Sequence, residues 1–128
     1  MRLLLDTHAF LWFVTNDPKL SENALDAIAE PDNEILVSPA SYWEIAIKVS
    51  LGKYPLSASF ETFFREGIEG GEMEILSIEI GHAAVLSSLP MHHKDPFDRM
   101  LAAQAIAEDI PIVSVDSALD AYGVQRWW

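Results

Sequence analysis

The chain has 128 residues, half of them hydrophobic, with no cysteine and with 20 acids against 8 bases for a formal net charge of −12. That composition supports one folded domain spanning 1–128 and excludes disorder, disulfides, thiolate zinc sites and thiol catalysis. So acidic a surface opposes casual binding to nucleic acid, which draws on clustered Lys and Arg, and favours divalent cations and basic partner segments.

Leu3, Leu4 and Leu5 form a continuous apolar run that ends on Asp6. This is the pattern of a parallel strand buried on both faces. Open parallel sheets place their ligands beyond the carboxyl ends of the strands, so Asp6 is expected in the functional crevice. Asp6 or Thr7 caps a helix over 9–14, closed by Asn16-Asp17-Pro18. Ser21 opens a second helix through Ala24, Leu25 and Ile28, ending near Pro31, and 34–37 is the next strand. Ser38-Pro39 starts a helix by mechanism, a serine cap followed by proline where its missing N–H costs nothing. That helix runs through Trp43, Ile45, Ile47 and Val49 to Gly52.

Residues 59–68 are amphipathic, with Phe60, Phe63, Phe64 and Ile68 on one face, and Gly70-Gly71 ends them. A third strand over 73–76 leads to a helix over 80–89, closed by Pro90. Asp95-Pro96 repeats the cap-then-proline start for a helix through Met100, Leu101, Ala105 and Ile106. A fourth strand over 112–115 ends on Asp116. A short helix over 117–121 and a last strand near 124–127 follow. Strands alternating with helices imply crossover connections, hence an α/β fold: three α/β/α layers around a central parallel sheet of about five strands. No apolar run approaches the roughly 20 residues of a membrane helix, and the start of the chain does not read as a signal peptide. A soluble cytoplasmic protein with no membrane partner is expected.

Two strands end on aspartates, Asp6 and Asp116. Glu44 follows the second strand by six residues, within about 10 Å of its tip at ~1.5 Å per residue. Asp95 and Asp98 fill the first turn of a later helix. Taken singly, each has a simpler reading. Asp6 and Asp95 suit helix caps, Glu44 a capping box with Ser41, Asp98 the helix dipole and Asp116 a turn. Taken together, acids converging on one sheet edge repel and raise one another's pKa values unless a cation neutralises them. An oxygen-only donor set suits Mg²⁺ or Mn²⁺, which keep waters that can be turned on a phosphate. Lys48, Lys94 and Arg99 surround these acids and are candidate phosphate contacts, or simply partners of the same acids. His8, His92 and His93 could assist the site, but each reads first as a surface or turn residue, and His82 reads as structural, with Trp12, Trp43 and the phenylalanines in core or interface.

Four blocks in order resemble a family: Leu4-Leu5-Asp6-Thr7-His8; Ser41 to Lys48 (SYWEIAIK); His92 to Arg99 (HHKDPFDR) with Ala102-Ala103-Gln104-Ala105; and Val113-Ser114-Val115-Asp116. The chain resembles PIN-domain ribonucleases, specifically VapC-type toxins of bacterial type II toxin–antitoxin systems, over nearly its whole length. The resemblance implies a PIN fold and Mg²⁺- or Mn²⁺-dependent endonucleolytic cleavage of RNA. Its acidic quartet falls on Asp6, Glu44, Asp98 and Asp116. Three of these, Asp6, Glu44 and Asp98, hold metal, and Asp116 acts through water or a second ion. It further implies a homodimer and a cognate antitoxin partner. Where family members carry a hydroxyl or basic residue before the last acid, this chain has Ser114-Val115. A receiver domain or an aspartate-nucleophile phosphohydrolase would need acids where Thr7 and His8 stand. The remaining alternative is a catalytically inactive PIN-like module that binds RNA or protein.

Overall fold

Three leucines with no polar face between them must be covered from both sides, and in the computed structural model, which describes residues 1–128, they are. Leu3, Leu4 and Leu5 have no exposed surface and lie in the central strand β1, Arg2–Leu5. On one side β1 pairs in parallel with β2, Glu34–Val37, from Arg2 opposite Glu34 to Leu5 opposite Val37. Next along that side is β3, Glu74–Ile75. On the other side lie β4, Ile112–Val113, and then β5, Arg126–Trp127. The sheet order is β3-β2-β1-β4-β5, parallel throughout, as the alternating sequence pattern requires.

Two strands are shorter than expected. β4 stops at Val113 rather than 115 because Ser114 Oγ accepts the Asp116 N–H at 3.0 Å, turning the chain and leaving Val115 exposed. β3 is an exposed two-residue edge rather than 73–76, with the Leu76 N–H continuing the pairing to the Val37 carbonyl.

Helices cover both faces. The odd leucines of β1, Leu3 and Leu5, pack with Phe10 of α1 (Thr7–Val14), Ile28 of α2 (Glu22–Ala29), Ile45 of α3 (Pro39–Ser50) and Phe64 of α4 (Phe60–Gly70). Leu4 points the other way, against Leu101 of α6 (Pro96–Glu108) and Leu119 of a 3₁₀ helix (Ser117–Tyr122). Outside α6 lies α5 (Ile80–Ser87). Each leucine so buried is worth about 1.5–3 kcal/mol. Gly67 sets the approach of α4 to α1, since a Cβ there would stand 3.0 Å from Phe10 Cζ and Val14 Cγ1.

Serine and aspartate start most of these helices. Ser21, Ser38, Ser59 and Asp95 accept backbone N–H groups as caps, and Pro39 and Pro96 follow two of them. Asp6, not Thr7, caps α1. Because Ser38 caps α3, the capping-box reading of Ser41 with Glu44 does not hold. Gly52, at φ 70°, lies just beyond α3. No helix is long and apolar enough to cross a membrane.

Candidate metal centre

The chain runs outward from β1 to β2 and β3, then returns to place β4 on the opposite side of β1. Such a reversal opens a crevice at the carboxyl ends of the two strands beside it. Asp6 stands at that point, its N–H donating to the Val113 carbonyl at 3.0 Å. One carboxylate oxygen caps α1, accepting the Ala9 N–H at 2.7 Å. Burial pushes the Asp6 carboxyl up, against hydrogen bonds from Ser114 and Ala9 that hold it down. Ser114, two residues before the last acid, is fully buried and helps hold the Asp6 carboxyl down.

Glu44 reaches the site from the second turn of α3 and is itself buried. Thr7 Oγ1 lies 2.6 Å from Glu44 Oε1 and 3.1 Å from Ser41 Oγ. A hydroxyl has one proton, and the charged acceptor takes it. Ser41 is thus the donor in the longer contact. The other oxygen, Glu44 Oε2, pairs with Lys48 Nζ at 3.3 Å, one turn along the helix.

The third approach is the segment leading into α6. Asp95 caps the helix, accepting the N–H groups of Phe97 and Asp98, and so presents Asp98 from the first turn. Asp98 is pushed up to about 7, first by burial and then by the charges of Asp95, Glu44 and Asp6. Asp116 caps the 3₁₀ helix through Oδ1, which accepts the Ala118 N–H at 3.0 Å. Burial works to raise Asp116, but the hydrogen bonds from His93 and Ala118 outweigh it and the group ends below the usual carboxylate range.

His93 joins these last two acids. Its Nε2 lies 2.9 Å from Asp116 Oδ2 and 3.3 Å from Asp98 Oδ2. One ligand-type atom from each of the three residues falls within 4.8 Å of the other two. The reading of His93 as a surface or turn residue is therefore corrected. Its position just before a capping Asp-Pro pair was the signal, since the helix start that presents Asp98 also turns this side chain inward. His8 and His92 do lie at the surface, against Trp12 and Tyr122, and His82 is buried against Glu108.

All four predicted acids thus face one edge of the sheet, though not as one tight group. Asp98 and Asp116 are tied through His93, while Asp6 and Glu44 stand outside that triad but near enough for their charges to raise Asp98. The predicted bases divide. Lys48 neutralises Glu44, Lys94 is exposed, and Arg99 donates to the Pro90 carbonyl and the Tyr122 hydroxyl at 2.9 and 3.2 Å. Carboxylates gathered with this little positive charge, one of them held half-protonated near neutrality, suit a hard divalent cation.

A family model, PIN domain, matches residues 3–125. The chain belongs to the PIN-domain family. PIN domains are generally nucleases that use divalent metal, and this one carries a cluster of acidic residues with a histidine at ligand-like spacing. No curated protein matches it. Among solved structures, the PIN domain is similar to a chain of VapBC2 from Rickettsia felis bound to a DNA fragment from their promoter, at 17% identity and TM-score 0.74, covering 100% of both chains. It also resembles a chain of FitAcB from Neisseria gonorrhoeae, at 18% identity and TM-score 0.65, over 98% of this chain and 96% of that one. A third likeness is to a chain of VapBC-1 from nontypeable Haemophilus influenzae, at 19% identity and TM-score 0.64, again over 98% and 96%. At these identities the likeness is one of fold.

Proposed function

We propose that this PIN domain is a Mg²⁺- or Mn²⁺-dependent endoribonuclease, the toxin of a VapC-type toxin–antitoxin pair working in the cytoplasm. The observation that supports the reading is Asp98, raised to about 7 by burial and by neighbouring acids that include Glu44 and Asp6, with Asp116 joined to it through His93. Asp6, Glu44 and Asp98 would hold the ion. When bound, it makes a water a better nucleophile towards phosphorus and offsets charge gathering on the phosphate. Asp116, with 39% of its side chain exposed, would orient that water from the open side. Thr7 holds Glu44 in place, and Ser114 does the same for Asp6. Lys94 and Lys48 would meet the RNA backbone, while Arg99 shapes the segment that carries His93.

The resemblance to VapC-type toxins and the likeness to VapBC and FitAcB chains support an antitoxin partner. A net charge of −12 suits a basic antitoxin segment, and an Arg from it would fit the carboxylates. Competition between such a peptide and Mg²⁺ tests that point. A homodimer is supported by the apolar depression lined by Trp43, Ile78, Leu86, Phe97 and Met100, where Trp43 is 61% exposed.

The test is cleavage of a mixed structured-RNA pool by purified protein in Mg²⁺, Mn²⁺ or EDTA, beside Asp6→Asn and Asp98→Asn. Metal-dependent cutting lost in both variants is expected. A folded, antitoxin-free protein that neither cuts RNA nor binds a divalent ion would instead be an inactive binding module.

A further inference from the structure

We infer that His93 is a positioning residue of the acidic site, holding the Asp98 and Asp116 carboxylates through its Nε2–H, and that its imidazole is not a metal ligand. The inference rests on the nuclease reading only in calling the acids a metal site. Its geometry stands apart from that.

The decisive contact is on the far side of the ring. The backbone N–H of Asp95 points at His93 Nδ1 across 3.1 Å. A backbone amide can only donate, so Nδ1 must present its lone pair. In a neutral imidazole the proton then sits on Nε2, and Nε2 faces two carboxylate oxygens, at 2.9 Å on Asp116 and 3.3 Å on Asp98. With both carboxylates ionised, as at pH 8.5, both are acceptors, so of the two neutral tautomers only this one satisfies the contacts.

Ligation through Nε2 would require the opposite one. The proton would have to move to Nδ1, where it would face the Asp95 N–H head-on. That amide cannot swing away freely, because Asp95 is the cap of α6 and its carboxylate accepts the N–H groups of Phe97 and Asp98. The histidine backbone is fixed as well. The His93 N–H donates to the Tyr122 hydroxyl at 2.9 Å, and Arg99 donates to that same hydroxyl and to the Pro90 carbonyl. Although its ring nitrogen stands among acids with ligand-like spacing, the hydrogen-bond pattern makes His93 a donor to those acids.

The consequence for the site is a division of labour between the two aspartates. Asp116 accepts from the Ala118 N–H on Oδ1 and from His93 on Oδ2, so its orientation is set before any ion arrives. Asp98 keeps only the longer contact to His93 and retains freedom to turn to an ion.

The test is a two-bond ¹H–¹⁵N spectrum of ¹⁵N-labelled protein at pH 8.5, recorded in EDTA and then with Mg²⁺, with His93 assigned by its loss in His93→Gln. We expect an unprotonated Nδ1 and a protonated Nε2 in both conditions. A proton on Nδ1 in EDTA, or a switch of tautomer on adding Mg²⁺, overturns the inference. Pulsed EPR of Mn²⁺-loaded protein gives a second readout, in which a directly bonded nitrogen lost in His93→Gln also overturns it. Mg²⁺ affinity should fall about 10- to 100-fold in His93→Ala and by less in His93→Gln, whose amide keeps a donor. Equal losses would count against a donor role. Should the protein bind no ion at all, the nuclease reading fails, while the tautomer in EDTA still decides the histidine.

Discussion

Thr7 Oγ1 lies 2.6 Å from Glu44 Oε1, and through that buried contact the start of α1 fixes a carboxylate carried by α3. Thr7→Val keeps the shape of the side chain and removes the donor. It leaves a buried carboxylate one hydrogen bond short, at a cost of about 1–3 kcal/mol. Chemical denaturation should show that loss, and titration calorimetry should show Mg²⁺ binding weakened about tenfold or more. Thr7→Ser, which restores the hydroxyl, should recover most of the binding. Equal behaviour of the two variants would sink the idea.

Asp98→Asn should separate folding from binding. The carboxyl sits near 7 because burial and neighbouring acids oppose its charge, so a neutral amide of the same size relieves the metal-free protein. At pH 8 in EDTA the melting temperature is expected to rise by about 4 °C, while Mg²⁺ affinity falls roughly 100-fold or more, beyond the loss typical of supporting residues. A fall in both would mean that Asp98 serves the fold instead.

The same shift fixes a pH dependence. Asp98 moves from an ordinary value of 3.8 to about 7 on folding, so the folded metal-free protein binds this proton more tightly than the unfolded chain does. Its contribution to stability is complete below about pH 4 and is lost as pH climbs through 7. The difference in melting temperature between Asp98→Asn and wild type should accordingly be small at pH 4 and reach its full size by pH 8. Mg²⁺ affinity should rise about tenfold per pH unit below 7 and level off above it, since the ion must displace that proton. A flat profile would assign the protonation elsewhere.

Trp43 and Ile78 line an apolar depression beside the site, both of them exposed. If this face joins two copies, Ile78→Asp and Trp43→Ser should convert a dimer to a monomer in sedimentation. Neither should lower the melting temperature of the monomer by more than about 2 °C, because neither side chain belongs to the buried core. An unchanged sedimentation coefficient in both would place the interface on another face.

Much of this arrangement is legible in the chain itself, for reasons that differ from place to place. Leu3-Leu4-Leu5 and residues 35–37 announce buried strands because nothing polar interrupts them, and Ser38-Pro39 and Asp95-Pro96 mark helix starts by backbone chemistry alone. The edge strands are harder, since β3 has both residues exposed and its extent depends on a neighbour 38 residues away in sequence. Val115 looks like strand but lies past a turn made by the Ser114 side chain, a local side-chain-to-backbone hydrogen bond that hydropathy does not register. At the site, the four acids could be gathered from their places, three at element starts or ends and Glu44 on the second turn of its helix. His93 is harder: the Asp95-Pro96 start that receives its ring is visible in the sequence, but its backbone N–H is held by the hydroxyl of Tyr122, 29 residues later.

Asp6 and Asp116 each carry a second duty, since one oxygen of each closes the open end of a helix. This bears on how the lineage can change. A descendant that gives up activity gains nothing by exchanging these positions for alanine, because it would lose a cap worth roughly 1 kcal/mol at each. Asn, Ser or Thr removes the carboxylate and keeps an acceptor for the cap. Retired copies of this gene should therefore drift along that narrow path at 6 and 116, while position 98, which caps nothing, is free to wander.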